Sequence, residues 1–185
     1  YALRELKGLT VRVTDLRGPA GVLSASTVDV RIVKSWYQGA SGSISYTPKK
    51  ALVAELLLKD DALVRVDHAT ESNYVRDTAP DGTTRYVLCS GPTSEDLATV
   101  RPRDAKTLQP VNIPAQTSRE FWINVQVPRD AAPGTYGGNV VFTTGATSVS
   151  LPLRVTVSPF TLEPSRLIYS IYYRARLAAD GQPSI

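Results

Sequence analysis

Phe121-Trp122-Ile123-Asn124-Val125-Gln126-Val127 is the stretch whose pattern decides the fold. Phe121, Ile123, Val125 and Val127 alternate with Trp122, Asn124 and Gln126. Side chains that change sides at every residue belong to a pleated strand, and this alternation puts one face under cover and leaves the other wet. The same pattern returns further on, where Val149, Leu151, Leu153, Val155 and Val157 alternate with Ser150, Arg154 and Thr156. Both stretches read as strands of antiparallel sheets covered on one side.

Working outward, further strands are predicted at residues 9–14, 28–36, 63–67, 73–76, 84–89 and 135–143. Turn chemistry separates them: Arg17-Gly18-Pro19-Ala20-Gly21, Pro80-Asp81-Gly82, Pro133-Gly134 and Gly145. Pro152 has no N–H to give a ladder, so its strand is expected at a sheet edge or at a bulge. Helical pattern is scarce. Residues 48–59 are the best candidate, although Leu56-Leu57-Leu58 reads equally well as a short buried strand. Residues 94–100 suit one helical turn with Ser94 as its N-cap. Residues 39–50 read as a Gly/Ser-rich loop. About eight short strands with little helix predict an all-β protein, an immunoglobulin-like antiparallel β-sandwich.

The chain has 185 residues, 42% hydrophobic and 21% charged, which suits a folded domain rather than a disordered one. Its formal charge of +4 is spread over single basic residues such as Arg12, Arg31, Arg65 and Arg154. Nucleic-acid binding needs a concentrated basic footprint, so no nucleic-acid partner is expected. No apolar run reaches the length of a membrane span.

Catalytic chemistry is thin. His68 is the only histidine and Cys89 the only cysteine. Without a Gly-x-Ser-x-Gly elbow or a metal-ligand spacing, His68 reads as a polar surface residue and Cys89 as a small core hydrophobe. No cofactor or metal is expected. Residues 77–82 start like a calcium loop but fail at Ala79 and Leu88, so a tight turn is expected. Asp60, Asp61, Asp67 and Glu71 read as solvated turn charges rather than a paired-carboxylate centre. The Gly-rich 39–43 stretch lacks the Lys of a phosphate-cradling loop.

Two sets of aromatic residues carry more. Trp36, Tyr37 and Gln38 end a predicted strand, and an aromatic ring flanked by an amide suits stacking on a sugar. Core packing and an interdomain anchor stand beside that reading of Trp36. Tyr136 follows Asp130-Ala131-Ala132-Pro133-Gly134-Thr135, just past a corner at the start of a strand. That placement matches a tyrosine corner, in which the hydroxyl bonds upstream backbone.

From Ser158 the pattern changes. Ser158-Pro159-Phe160-Thr161-Leu162-Glu163-Pro164 reads as a stiff linker. Leu167-Ile168-Tyr169-Ser170-Ile171-Tyr172-Tyr173 is continuously apolar, as in a strand buried on both faces. Residues 1–160 are therefore expected to form the sandwich, and residues 161–185 a linker with the first strand of a second, truncated domain, which the family resemblance given below implies to be of (β/α)8 type. Phe160, Tyr169, Tyr172 and Tyr173 are the expected interdomain contacts.

Three segments carry a family resemblance: Phe121–Pro128, Ala132-Pro133-Gly134-Thr135-Tyr136-Gly137-Gly138, and Leu151–Val157 followed by Pro159-Phe160. In that order they resemble the N-terminal sandwich of glycoside hydrolase family 123-like bacterial proteins. Leu56–Asp61 and Asp104–Pro110 are similar as well. The resemblance implies a non-catalytic sandwich that packs against its own C-terminal catalytic barrel within a glycoside-hydrolase-like protein. It places the catalytic acid pair in that barrel, so no catalytic residue is expected in this chain. It also implies an extracellular, cell-surface or periplasmic location. A carbohydrate-binding module and a cell-surface spacer or adhesion sandwich are the competing expectations.

Overall fold

The computed structural model describes residues 1–19, 21–41, 46–89, 96–163, 176–177 and 183–184. In chain order the strands are β1 (Leu6–Val13), β2 (Leu16–Gly18), β3 (Gly21–Leu23), β4 (Val28–Ser41), β5 (Tyr46–Leu58), β6 (Val64–Asp67) and β7 (Ser72–Thr78). They continue with β8 (Thr84–Leu88), β9 (Val111–Ile113), β10 (Glu120–Val125), β11 (Gly134–Thr144), β12 (Thr147–Val157), β13 (Arg176–Leu177) and β14 (Pro183–Ser184). Short 3-10 turns at Ala25–Thr27, Asp61–Leu63 and Leu97–Thr99 are the only helical pieces among the described residues. The protein is all-β, and every described ladder is antiparallel.

Strands β1 to β12 form two packed layers with a smaller sheet attached, and β13 pairs with β14 alone. One layer runs β3-β2-β11-β1-β9, with β12 on the other side of β11. The facing layer is β10-β4-β5, and β6-β7-β8 is the smaller sheet. Between the layers lie Leu9, Val111 and Ile113 from the first, Ile32 and Leu58 from the second, and Leu63 and Val64 at the small sheet. Phe121 and Phe142 meet edge to face across this core, with ring centroids 5.8 Å apart. A second cluster, Leu16, Leu23 and Tyr136, fills the other end of the sandwich.

Alternation set most of these faces. In β10, Phe121 packs into the first cluster and Val125 into the second. In β12, Leu153, Val155 and Val157 reach the core, whereas Val149 and Leu151 are exposed. Pro152 shows how the ladder accommodates a missing donor. Its partner Asn139 spends its own backbone N–H and C=O on Thr14, each at 2.9 Å. Asn139 and Pro152 are therefore a non-hydrogen-bonded pair, and the proline nitrogen faces outward on an edge strand.

Three expectations change. Residues 48–59 are not helical: 48–58 belong to β5, whose register against β4 runs from Ser41↔Tyr46 to Ile32↔Leu58, and Lys59 follows it. Cross-strand partners on β4 outweigh the weak helical tendency of a Leu-rich run. Residues 39–41 and 46–50, expected as loop, extend that hairpin. The turn near residue 97 is capped by Asp96, whose side chain accepts from the Ala98 N–H, while Ser94 lies outside the described residues.

Candidate functional site

Residues 36–38 of β4 sit on a strand, so their side chains must part company. Trp36 and Gln38 share one face. Register shifts between Lys34↔Leu56 and Ser35↔Ala54, leaving Glu55 as the extra residue of a bulge. One oxygen of Glu55 then accepts from both Trp36 Nε1 and Gln38 Nε2, each at 2.6 Å. The Trp36 ring is half-buried and packs against the first core cluster. Tyr37 points to the opposite face. Its hydroxyl lies 3.2 Å from Nδ1 of His68, and the two rings meet edge-on at 5.8 Å. The three residues suggested as one sugar-binding set thus do not share a surface.

The backbone of Tyr37 is held by Asn73, the buried polar residue of the core. The Asn73 amide donates to the Tyr37 C=O at 2.7 Å and accepts from the Tyr37 N–H at 2.9 Å. This amide stands in for one rung of a ladder and docks β7 onto the edge of β4. β10 covers that same edge only as far as Val33, opposite Glu120. Between the two contacts opens a cleft of about 550 Å³. Val33, Ser35 and Leu52 line it from the β4–β5 sheet, Ser118 and Arg119 from the segment leading into β10, Glu120 from its first residue, and Val66 and His68 from β6 and the residue following it.

Trp122 lies on the outer face beside this cleft. Its Cα partner is Arg31, while its chain neighbour Phe121 pairs with the buried Ile32. Trp122 is 53% exposed, and the alternation that placed it away from the core had marked its side of the strand only as polar. Arg31 donates to Asp29 at 2.6 Å, and Lys59 bonds the other oxygen of Asp29. The Lys59 ammonium, with help from Arg31, holds the Asp29 carboxyl below the usual aspartate range.

The remaining acidic residues act in turns and ion pairs. Asp61 pairs with Lys34 and Asp60 with Arg76, each at 2.8 Å. Asp67 accepts from the N–H groups of Ala69 and Thr70. Glu71 has a positive φ of 48°, and its carbonyl accepts from Lys50 Nζ. Cys89 is half-buried, and that burial pushes its thiol pKa up, away from thiolate chemistry. Among the described residues no group of three or more His, Cys, Asp or Glu is placed to hold a metal ion. No described helix is long and apolar enough to cross a membrane.

At the far end of the sandwich Tyr136 is 1% exposed and its hydroxyl donates to the Ala132 C=O at 2.7 Å. Just beyond β12, Phe160 is 68% and Leu162 82% exposed. They line a groove of about 740 Å³ together with Val127, Pro128, Pro133 and Pro159. Tyr169, Tyr172 and Tyr173 lie outside the described residues.

Residues 43–144 match the family model of the glycoside hydrolase 123 N-terminal domain. The chain belongs to this family. Among solved structures, it is similar to a family 123 glycoside hydrolase from Clostridium perfringens studied for glycolipid glycan hydrolysis, at 14% identity and a TM-score of 0.48. The similarity covers 84% of this chain and 19% of that one, so the chain spans about a fifth of that enzyme's length. No curated protein matches the sequence.

Proposed function

We propose that this domain is a non-catalytic support for the catalytic domain of a family 123-type protein. In this reading the sandwich ends near residue 160, and the catalytic barrel docks on the apolar surface where the chain leaves β12. The observation that carries it is the grouping of Phe160, Leu162 and Val127 around one groove, all exposed next to the exit of the last sandwich strand. Rings and aliphatic chains left in water at such a junction gain about 25 cal/mol per Å² when another surface covers them. Contacts between domains of one chain commonly bury about 600–1,500 Å². The Pro128, Pro133 and Pro159 rings stiffen the rim, which lowers the entropy lost on docking.

The test is a pair of substitutions, Phe160→Asp and Leu162→Asp, made both in the 185-residue chain and in the longer protein that contains it. Calorimetry of the short chain should show little change in Tm, since both side chains are already solvated. In the longer protein the same changes should separate the melting of the two domains and lower the transition of the catalytic one. Equal effects, or none, in both contexts would remove the support role.

A further inference from the structure

We propose that the outer face of the β10-β4-β5 sheet is a saccharide-binding surface, with Trp122 as the stacking platform and the adjoining cleft receiving the neighbouring sugar units. The proposal does not rest on the support role, and the two surfaces share no residue.

A tryptophan on a regular strand that keeps 53% of its surface in water, on the side away from the core, leaves a large apolar face uncovered. Its surroundings narrow the occupant. Along β10 the residues on the same face are Glu120 and Asn124, and across the ladder they are Asp29, Arg31 and Val33. Apart from Val33, each of these register neighbours offers a hydrogen-bonding group, and the apolar part of the face continues only on β5, at Leu57 opposite Val33 and at Leu52 in the cleft. One flat apolar ring bordered by carboxylates, an amide and a guanidinium suits a pyranose, whose C–H face is apolar and whose hydroxyls project around its edge.

The groups are also held in place. Asp29 is fixed by both Arg31 and Lys59, and Arg31 reaches on to the Leu57 C=O at 3.4 Å. Donors and acceptors pinned in this way lose little freedom on binding. Glu120 and Val33 belong both to the surroundings of Trp122 and to the lining of the cleft. At about 550 Å³ the cleft is within the range of small-ligand sites, roughly 300–1,000 Å³. Arg119 and His68 add polar groups at its sides. A glycan of several units can therefore lie with one ring on Trp122 and the next past Glu120 in the cleft.

The experiment uses the 185-residue chain labelled with 15N. Two tryptophans produce two indole N–H resonances, assigned with Trp36→Phe. Chitotriose, lactose and cellotetraose are titrated separately to about 20 mM, in the weak-binding range expected of one stacked ring. Stacking reads the C–H face rather than one pattern of hydroxyls, so at least one probe should shift the Trp122 indole saturably and leave Trp36 in place. Trp122→Ala should weaken that binding by at least about tenfold with an unchanged Tm, and Asn124→Ala by a few-fold. A Trp122 resonance unmoved by all three probes, shifts confined to Trp36, or undiminished binding by Trp122→Ala would each overturn the proposal. So would sedimentation showing a dimer that Trp122→Ala dissolves, because the face would then belong to a second copy of the chain.

Discussion

Asn73→Ala is the substitution that tests most directly how the small sheet is attached. Asn73 is 2% exposed, and its amide satisfies both backbone groups of Tyr37, at 2.7 and 2.9 Å. Truncation removes two hydrogen bonds and leaves a part-buried N–H and C=O on β4. Each unpaired group costs about 1–3 kcal/mol, less where water can enter, so a total loss of about 2–4 kcal/mol is expected. Urea unfolding followed by tryptophan fluorescence should show the midpoint falling by roughly 1–2 M, for a slope near 2 kcal/mol per M. Hydrogen exchange should rise first in β6, β7 and β8, whose attachment to the sandwich this amide shares with the core packing of Leu63 and Val64. Asn73→Asp sharpens the test. A carboxylate still accepts from the Tyr37 N–H but repels its carbonyl, and burial raises its pKa in the fold. Such a group destabilises the fold when ionised. The deficit should therefore be largest near neutral pH and shrink as pH falls through the raised folded-state value, where the protonated acid can donate to the Tyr37 C=O. A midpoint for Asn73→Ala within about 0.2 M of the parent, or an Asn73→Asp deficit independent of pH, would refute the reasoning.

The other expectations are simpler. A Cβ on Gly138 would meet Leu16 Cδ2 at 2.5 Å and the Asp15 carbonyl at 2.7 Å, whereas one on Gly137 would meet nothing within 4 Å. Gly138→Ala should therefore cost about 2 kcal/mol or more, and Gly137→Ala close to nothing, as read by thermal melting. Tyr136→Phe deletes the hydroxyl bonded to the Ala132 C=O while keeping the ring, and should cost about 1–2 kcal/mol in urea unfolding. The depressed pKa of Asp29 contributes stability that is present above the ordinary aspartate value of 3.8 and is lost as pH falls through the lower folded-state value. Asp29→Asn should flatten that acid limb, and a limb of unchanged slope would show that Lys59 and Arg31 do not act through Asp29.

How much of this was legible in the sequence depends on the residue. Period-two spacing placed Phe121, Ile123 and Val125 on the covered face of β10, and the Pro133-Gly134-Thr135-Tyr136 corner marked the residue whose hydroxyl reaches Ala132. β2, β3 and β9 are three residues long, too short to show a period, yet Leu16, Leu23 and Val111 in them are among the most buried side chains. Continuous apolar sequence at Leu56-Leu57-Leu58 left helix and strand equally open, because periodicity cannot separate them over so short a run.

By itself the sequence determined the layered antiparallel class, the proline on an edge strand and the buried corner tyrosine, since each follows from local rules of side-chain alternation, a missing N–H or turn chemistry. Tertiary structure decided which tryptophan meets solvent and which packs on the core. Alternation assigns a residue to a side of its own strand. Whether another layer lies over that side depends on where chain-distant strands come to rest, so Trp36 is drawn against the core and onto Glu55 while Trp122 stays open beside the cleft. The same holds for Asn73, whose role exists only because β10 leaves the edge of β4 uncovered beyond Val33.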